Sequence, residues 1–345
     1  MSDSAGVPAL ETPDPRVVHS HFDLDAYAPG RKLMAWRERV GHVIDVLHSR
    51  ADLERPFDAT IARYEAGDLS LTRCRSDAIE LERTLARIST DKVRDYAFHV
   101  FVEGGMDEVK VHSASHDGGG LGADGGSILA LDMNEPVHMR RGRCHVITLF
   151  APASLVQQEF AWPEALHGRT AQPTTPLLRL AVDHVVALDR EIACMSLATA
   201  EAAMRESTRL LVAAFARQTR MSGDARAAVR AAMFGQVRRY VQANLHHEGL
   251  SPERVLGALE LPRPTLYRMF QHEGGLGSYI RHLRLRQAAD DLRLRPDLMV
   301  TDIAYGLGFR SASDFTRAFR RAYGMTPQDF RVMCAEATAK ANGRI

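Results

Sequence analysis

Cysteine is scarce in this chain and never closely paired: Cys74, Cys144, Cys194 and Cys334 are spread through 345 residues without a C-x-x-C spacing. That excludes a zinc ribbon and a disulfide framework as readings of the sequence, and leaves reduced, mostly buried thiols as the expectation. Long apolar runs are missing too. Nothing approaches the roughly 20 residues needed to span a bilayer. The opening MSDSAGVPALETPDP has acid and proline where a signal peptide needs a basic and then an apolar run, so a cytoplasmic protein without a membrane partner is expected. His112, His116, His138 and His145 offer no short His-x-His pair with a downstream carboxylate, and no nucleophile sits with a base. Neither metal, cofactor nor catalytic residue is expected. The glycine-rich HDGGGLGADGG, His116 to Gly126, has no helix opening after it, which speaks for a long hairpin loop rather than a phosphate cradle.

What is present is an ordinary globular composition, 45% hydrophobic and 25% charged, in a chain long enough for two domains with substantial cores. The net charge of +1 conceals an asymmetry. From Met221 onward there are 19 basic and 12 acidic residues, a net +7, whereas the first 220 hold 25 and 31, a net −6. One half attracts polyanions and the other repels them, as a sensor fused to a nucleic-acid reader requires. Leu33, Trp36, Val40, Val43, Ile44 and Leu47 fall at helical spacing. From Phe57 to Phe150 the apolar period changes to two, in short runs broken by Gly, Asp and Pro, which predicts a β-sandwich or small barrel. Helical periodicity returns from Pro176 to Ala216, and the polar Gln218 to Asp224 breaks it, marking a domain boundary.

From Val300 to Arg331 nearly every residue type has a positional role. Thr301 is placed to cap a short helix carrying Ile303, Ala304 and Leu307; Gly306 and Gly308 free the backbone for a turn that Phe309 plugs. Ser311 with Asp314 is a capping-box pattern opening a second helix. Phe315, Ala318 and Phe319 form its buried stripe, and Ser313, Thr316, Arg317, Arg320 and Arg321 its outer face. A fainter copy starts at Ser251-Pro252-Glu253. There a turn at Leu261–Pro264 leads into a helix that buries Leu266, Met269 and Phe270 and turns Arg263, Thr265, Tyr267, Arg268 and Gln271 outward. Between the copies Ser278 to Leu294 reads as one long helix, Ile280, Leu283 and Leu292 inward and Arg281, Arg284 and Arg286 outward where phosphates lie. Arg320, Arg321 and Arg331 have an internal alternative in Asp314, Asp329 or Asp302, and Asp314 serves either a cytosine amino group or the helix cap.

The run I-A-x-x-x-G-F-x-S-x-S-x-F-x-R-x-F-R-x-x-x-G-x-T-P-x-x-F-R, carried by Ile303 through Arg331, resembles the signature of AraC/XylS-type bacterial transcription regulators. The resemblance implies a double helix-turn-helix that lays two recognition helices into successive major grooves, about 34 Å apart, at tandem promoter sites in double-stranded DNA. The implied contacts are Arg263, Thr265, Tyr267, Arg268, Gln271, Arg284, Ser311, Ser313, Thr316, Arg317 and Arg320, the arginines at 263, 268 and 317 being the better guanine readers. Pro264 stands where the family often has a larger contacting side chain. Over residues 22–160 the strand order, with Trp36-Arg37-Glu38, resembles the cupin-like sensor of the xylene and benzoate type.

The implied architecture is α+β with two domains: a disordered tail (1–20), a cupin-like β-barrel (21–175), a helical dimerisation or linker segment (176–220) and an all-α reader (221–345). The implied function is a DNA-binding regulator, an activator working with RNA polymerase and gated by a small-molecule effector of the aromatic-acid class. Tyr96, Phe98 and Val100, or their alternates His99 and Phe101, line the pocket; a period of two does not decide which face points inward. Helices at 176–216 either pair two subunits of a homodimer or cover the barrel. The competing reading is a cupin-type metal-dependent enzyme joined to a DNA-binding domain.

Overall fold

The computed structural model describes residues 16–342 except 85–86, 89–90, 92, 94, 112–113, 118–125, 161–162, 222–224 and 272–273. Most of the expected tail and of the glycine-rich stretch lie outside the described residues, as does His112. Strands in the N-terminal half are β1 (Val18–Phe22), β2 (Asp45–Leu47), β3 (Ala59–Ala66), β4 (Leu69–Ser76), β5 (Ile79–Arg83), β6 (Tyr96–Glu103), β7 (Met106–Val111), β8 (Ala114–Asp117), β9 (Ile128–Asp132), β10 (Val137–Arg141), β11 (Cys144–Ala151) and β12 (Arg169–Ala171). Helices are α1 (Lys32–Val40), α2 (Arg50–Glu54), α3 (Ala153–Glu159), α4 (Pro176–Glu191), α5 (Leu197–Met221), α6 (Ala225–Ala243), α7 (Pro252–Leu259), α8 (Arg263–Met269), α9 (Leu276–Leu294), α10 (Val300–Gly306), α11 (Ala312–Tyr323) and α12 (Pro327–Asn342). No helix among the described residues is long and apolar enough to cross a membrane.

Two sheets make the N-terminal half. One has seven strands in the order β1-β3-β4-β11-β6-β9-β12, the other five in the order β2-β5-β10-β7-β8. The expected barrel is therefore a pair of facing sheets whose ladders do not close into one ring among the described residues. Ala97, Phe101, Leu129, Leu131, Met139 and Val146 fill the space between them, joined by Trp36 of α1. The outer face of the larger sheet presents Tyr96, Phe98, Val100, Ile128, Ala130 and Leu149 to α4 and α5. That sheet is thus apolar on both sides, the reason its strands read as nearly continuous hydrophobic runs.

In the C-terminal half one helix serves two cores. The first half of α9 gives Leu276, Tyr279 and Ile280 to a core with Val237, Val255, Leu266 and Phe270. Its second half gives Leu285, Ala288 and Leu292 to a core with Ile303, Ala304, Phe315 and Phe319. Ser251 and Ser311 cap α7 and α11, each hydroxyl accepting the N–H three residues on. Thr301 does not cap α10, which opens one residue earlier behind Met299; Leu298 and Val300, packed on the second core, set that start.

Candidate DNA-reading face and effector cavity

Helix α8 follows the turn at Pro262 and buries only Leu266, while Arg263, Tyr267, Arg268 and Gln271 are exposed and Thr265 half-buried. Tyr267, 58% exposed, is a large aromatic held in water by its neighbours. Helix α11 repeats the arrangement, with Phe315, Ala318 and Phe319 inward and Ser313, Arg317, Arg320 and Arg321 exposed. Ser311 and Thr316 are engaged within the helix, Ser311 as its cap and Thr316 donating to Ala312 O at 2.8 Å. Asp314 holds an ion pair with Arg317, and the hydrogen bonds it accepts from Arg317 and Ser311 keep its carboxyl below the ordinary range. It therefore serves the cap. Both partners are more than half exposed, so the pair is weak.

Two of the expected phosphate contacts are corrected. Arg284 is buried at the junction of the two cores: its Nε donates to Leu245 O (3.1 Å), Nη1 to Gly308 O (3.1 Å) and Nη2 to His247 O (2.6 Å). Gly308 has φ +71°, and a Cβ there would come within 2.5 Å of Arg284 Nη2, so this turn needs glycine both for its conformation and for the room it leaves the guanidinium. Arg286 reaches the sensor half instead, donating to Asn134 Oδ1 at 2.6 Å. Arg331 is not paired with a carboxylate either; it donates to Leu298 O at 2.7 Å. Arg281 remains exposed.

Between the sheets and beneath α1 lies a cavity of about 110 Å³. Val40, Ile44, Leu81, Leu131, Met133 and Met139 give it apolar walls, and Arg39, His42, Arg63, Thr72, His99, Arg141 and Thr148 its polar groups. Of the residues expected to line a pocket His99 borders this cavity, whereas Tyr96 borders a separate cleft beside Glu164 and Arg238. Tyr96, Phe98 and Val100 point to the opposite face, into the core under α4 and α5, and Phe101 belongs to the inter-sheet core without bordering the cavity. His99 Nδ1 lies 2.8 Å from Thr148 Oγ1, and enclosure by the fold, with Arg141 nearby, pushes it down to about 3, so the ring is neutral.

The two halves meet at an acidic turn. Asp132, at the end of β9, and Glu135 both hold Arg238 of α6, whose Nη1 lies 3.3 Å from Glu135 Oε1. Arg239 pairs with Glu164 at 2.6 Å, and Gly235 lets that carboxylate approach, since a Cβ would meet its Cδ at 2.8 Å. His167 braces the turn: Nδ1 accepts from the Asp132 N–H at 3.1 Å and Nε2 donates to Pro136 O at 3.0 Å. Burial would raise Asp132, but Arg238 and Asn134 outweigh it and hold it low. In Glu135 burial wins over Arg238, and its carboxyl is pushed up to about 8.

Residues 34–216 match the family described as AraC-binding-like domain, and residues 255–333 match a helix-turn-helix domain. The chain belongs to the AraC family. It is a DNA-binding transcription regulator with an N-terminal domain for a small-molecule effector. Among individual AraC-type relatives, the transcriptional activator NphR of a Rhodococcus species is 27% identical over 293 residues, 80% of this chain and 82% of its own. The transcriptional activator RhaS of Yersinia pestis is 33% identical over 90 residues, 26% of this chain and 33% of its own. The crystal structure of the AraC-like activator CuxR superposes with a TM-score of 0.52 at 18% identity, covering 79% of this chain and 96% of that one, which speaks for the fold.

Set in this AraC frame, the interdomain turn is what sequence reasoning missed; Arg238 and Asp132 are 106 positions apart and no local pattern joins them. The barrel histidines considered for a metal have other contacts: His138 Nε2 sits 2.6 Å from Glu80 Oε1, and His145 Nδ1 lies 3.5 Å from Arg75. Glu135 also has a consequence for pH. Its folded value stands above the ordinary carboxylate range, so the proton it takes up stabilises the docked state below that range, and this contribution is lost as pH rises through about 8. The groups facing it are Arg238, Asp132, Arg286 and Glu164. The urea midpoint should fall as pH rises across that window, and Glu135→Gln should flatten the slope; equal slopes would place the titration elsewhere.

Proposed function

We propose that this AraC-type regulator activates transcription from tandem promoter sites in the cytoplasm, as a homodimer acting with RNA polymerase. The observation that carries the DNA-reading geometry is helix α9, shared by two cores and stapled at Arg284, because it ties two recognition helices to one stiff element. Arg263, Thr265, Tyr267, Arg268 and Gln271 supply the first reading face and Ser313, Thr316, Arg317 and Arg320 the second. Ser311 contributes through its cap. Helices α4 and α5 cover the larger sheet and leave Leu180 half-exposed, a face available for subunit pairing. The effector, an aromatic acid by the family resemblance, occupies the inter-sheet cavity. Its presence reaches the reader through β9 and the turn after it, where Leu131 and Met133 line the cavity and the intervening Asp132 grips Arg238.

The test is footprinting of the full chain on the DNA upstream of its own gene and on neighbouring promoters, with salt varied. Two protected segments one helical turn apart and a steep loss of affinity with salt are expected; salt-insensitive binding would sink the reading. On the operator so found, Arg317→Ala should lower affinity by about tenfold to a hundredfold, the size of a lost bidentate guanine contact, and leave nonspecific binding nearly unchanged. Equal losses on both would assign Arg317 to phosphate alone.

A further inference from the structure

Three arginines are buried in the described fold, and two of them have their charge answered. Arg83 forms an ion pair with Asp91 and donates to Met133 O at 2.8 Å. Arg284 has three carbonyls. Arg141, 6% exposed at the end of β10, has neither. Its Nη2 reaches Ser76 Oγ at 3.5 Å and Cys74 Sγ at 3.9 Å, its Nε has no hydrogen-bond acceptor, and no carboxylate lies in ion-pair range among the described residues. Cys74 gives no counter-charge, because burial pushes its thiol up and keeps it protonated. A guanidinium taken out of water without an anion is strongly disfavoured, and a fold keeps one where something else supplies the anion.

Arg141 borders the inter-sheet cavity, and no Asp or Glu does. Trp36 also borders it, 1% exposed, with an indole N–H that has no partner. Arg63, on the same wall, is already paired with Glu65 at 2.6 Å. Arg39, the third arginine of the lining, is half-exposed and lies over the Phe22 ring at 5.8 Å, so the cavity offers one buried unanswered positive charge and a spare donor within apolar walls.

Building on the reading of this cavity as the effector site, we infer that Arg141 is its specificity-determining residue and that the ligand is a monocarboxylic acid with an apolar body, aromatic or aliphatic. The carboxylate sits on the Arg141 guanidinium, whose planar fork suits it. The body lies against Leu81, Leu131, Met133 and Met139, so the charge and the apolar volume, rather than an aromatic ring as such, are what the site reads.

The test uses the purified full chain with benzoate and octanoate against benzamide and octanamide. Binding is followed by the shift in Tm and by the fluorescence of Trp36 in a Trp162→Phe background, with DNA affinity as a separate readout. Both acids should raise Tm and perturb the fluorescence, while the amides bind at least about tenfold more weakly, the least expected for a lost charge-assisted hydrogen bond. Arg141→Met, which removes the unanswered charge at similar length, should fold as well as the parent and lose that preference; Arg141→Lys should keep part of it. Amides binding as well as acids, acids binding Arg141→Met undiminished, or no response to any of the four would overturn the inference. Acids that bind through Arg141 without altering DNA affinity would uphold the receptor and refute effector gating, so the two readings fail separately.

Discussion

Arg238→Met should uncouple the two halves of the protein. In the parent, one guanidinium answers the buried Asp132 carboxylate and also lies against Glu135, whose carboxyl keeps its proton up to about pH 8. Removing one partner of a buried ion pair costs about 3–5 kcal/mol, because the charge left behind must be neutralised or rehydrated. Here rehydration is available only by parting the sensor from α6, so the loss should appear at the domain contact rather than within either core. Urea unfolding that follows one transition in the parent should split into two in the variant, and cleavage by protease between the domains should accelerate. DNA affinity should no longer depend on effector. Combining Arg238→Met with Asp132→Asn and Glu135→Gln removes the charge left unanswered by the single change, leaves the Arg239–Glu164 pair in place, and should restore much of the docking. A triple variant as loose as the single one would show that Arg238 acts by packing rather than by charge.

The sequence already carried both sides of that contact, in a form that local pattern could not resolve. The acidic first half and the basic second half were legible as a sensor and a reader, but the same opposition also lets the two halves grip one another. Patterns of short range were read well: the serines before α7 and α11 cap those helices, and the stripe Phe315, Ala318, Phe319 is buried. Thr301 was a sound cap residue displaced by packing on either side of it. The two faces of β6 could not be told apart because both are buried, one between the sheets and one under helices. Arg284 was different, since its position was available from spacing. It lies four residues from Ile280 and four from Ala288, on the inward stripe of α9, where helical geometry outweighs the preference of an arginine for water.

A phosphate contact at Arg284 would predict an Arg284→Ala variant of unchanged stability whose salt dependence falls by about one unit in slope. The observed geometry predicts the reverse. Alanine strips the hydrogen bonds from Leu245 O, His247 O and Gly308 O at once, and with an unsatisfied buried acceptor costing about 1–3 kcal/mol, partial access of water should leave a net loss of about 3–5 kcal/mol. Because those carbonyls belong to the segment between α6 and α7, which leads into the first module, and to the turn of the second, the loss should fall on their mutual orientation. Affinity for tandem sites should drop more than about a hundredfold while affinity for an isolated half-site drops far less, since only the tandem site needs both helices in register. Lysine at the same position, a point charge without a fork, should recover part of the stability and little of the tandem preference. Gly308→Ala should reproduce the defect from the other side of the contact, through a Cβ driven against the guanidinium at a φ that alanine avoids. Retention of tandem preference in both variants, measured on the same operator, would return Arg284 to the DNA backbone and leave α9 alone to set the spacing of the two recognition helices.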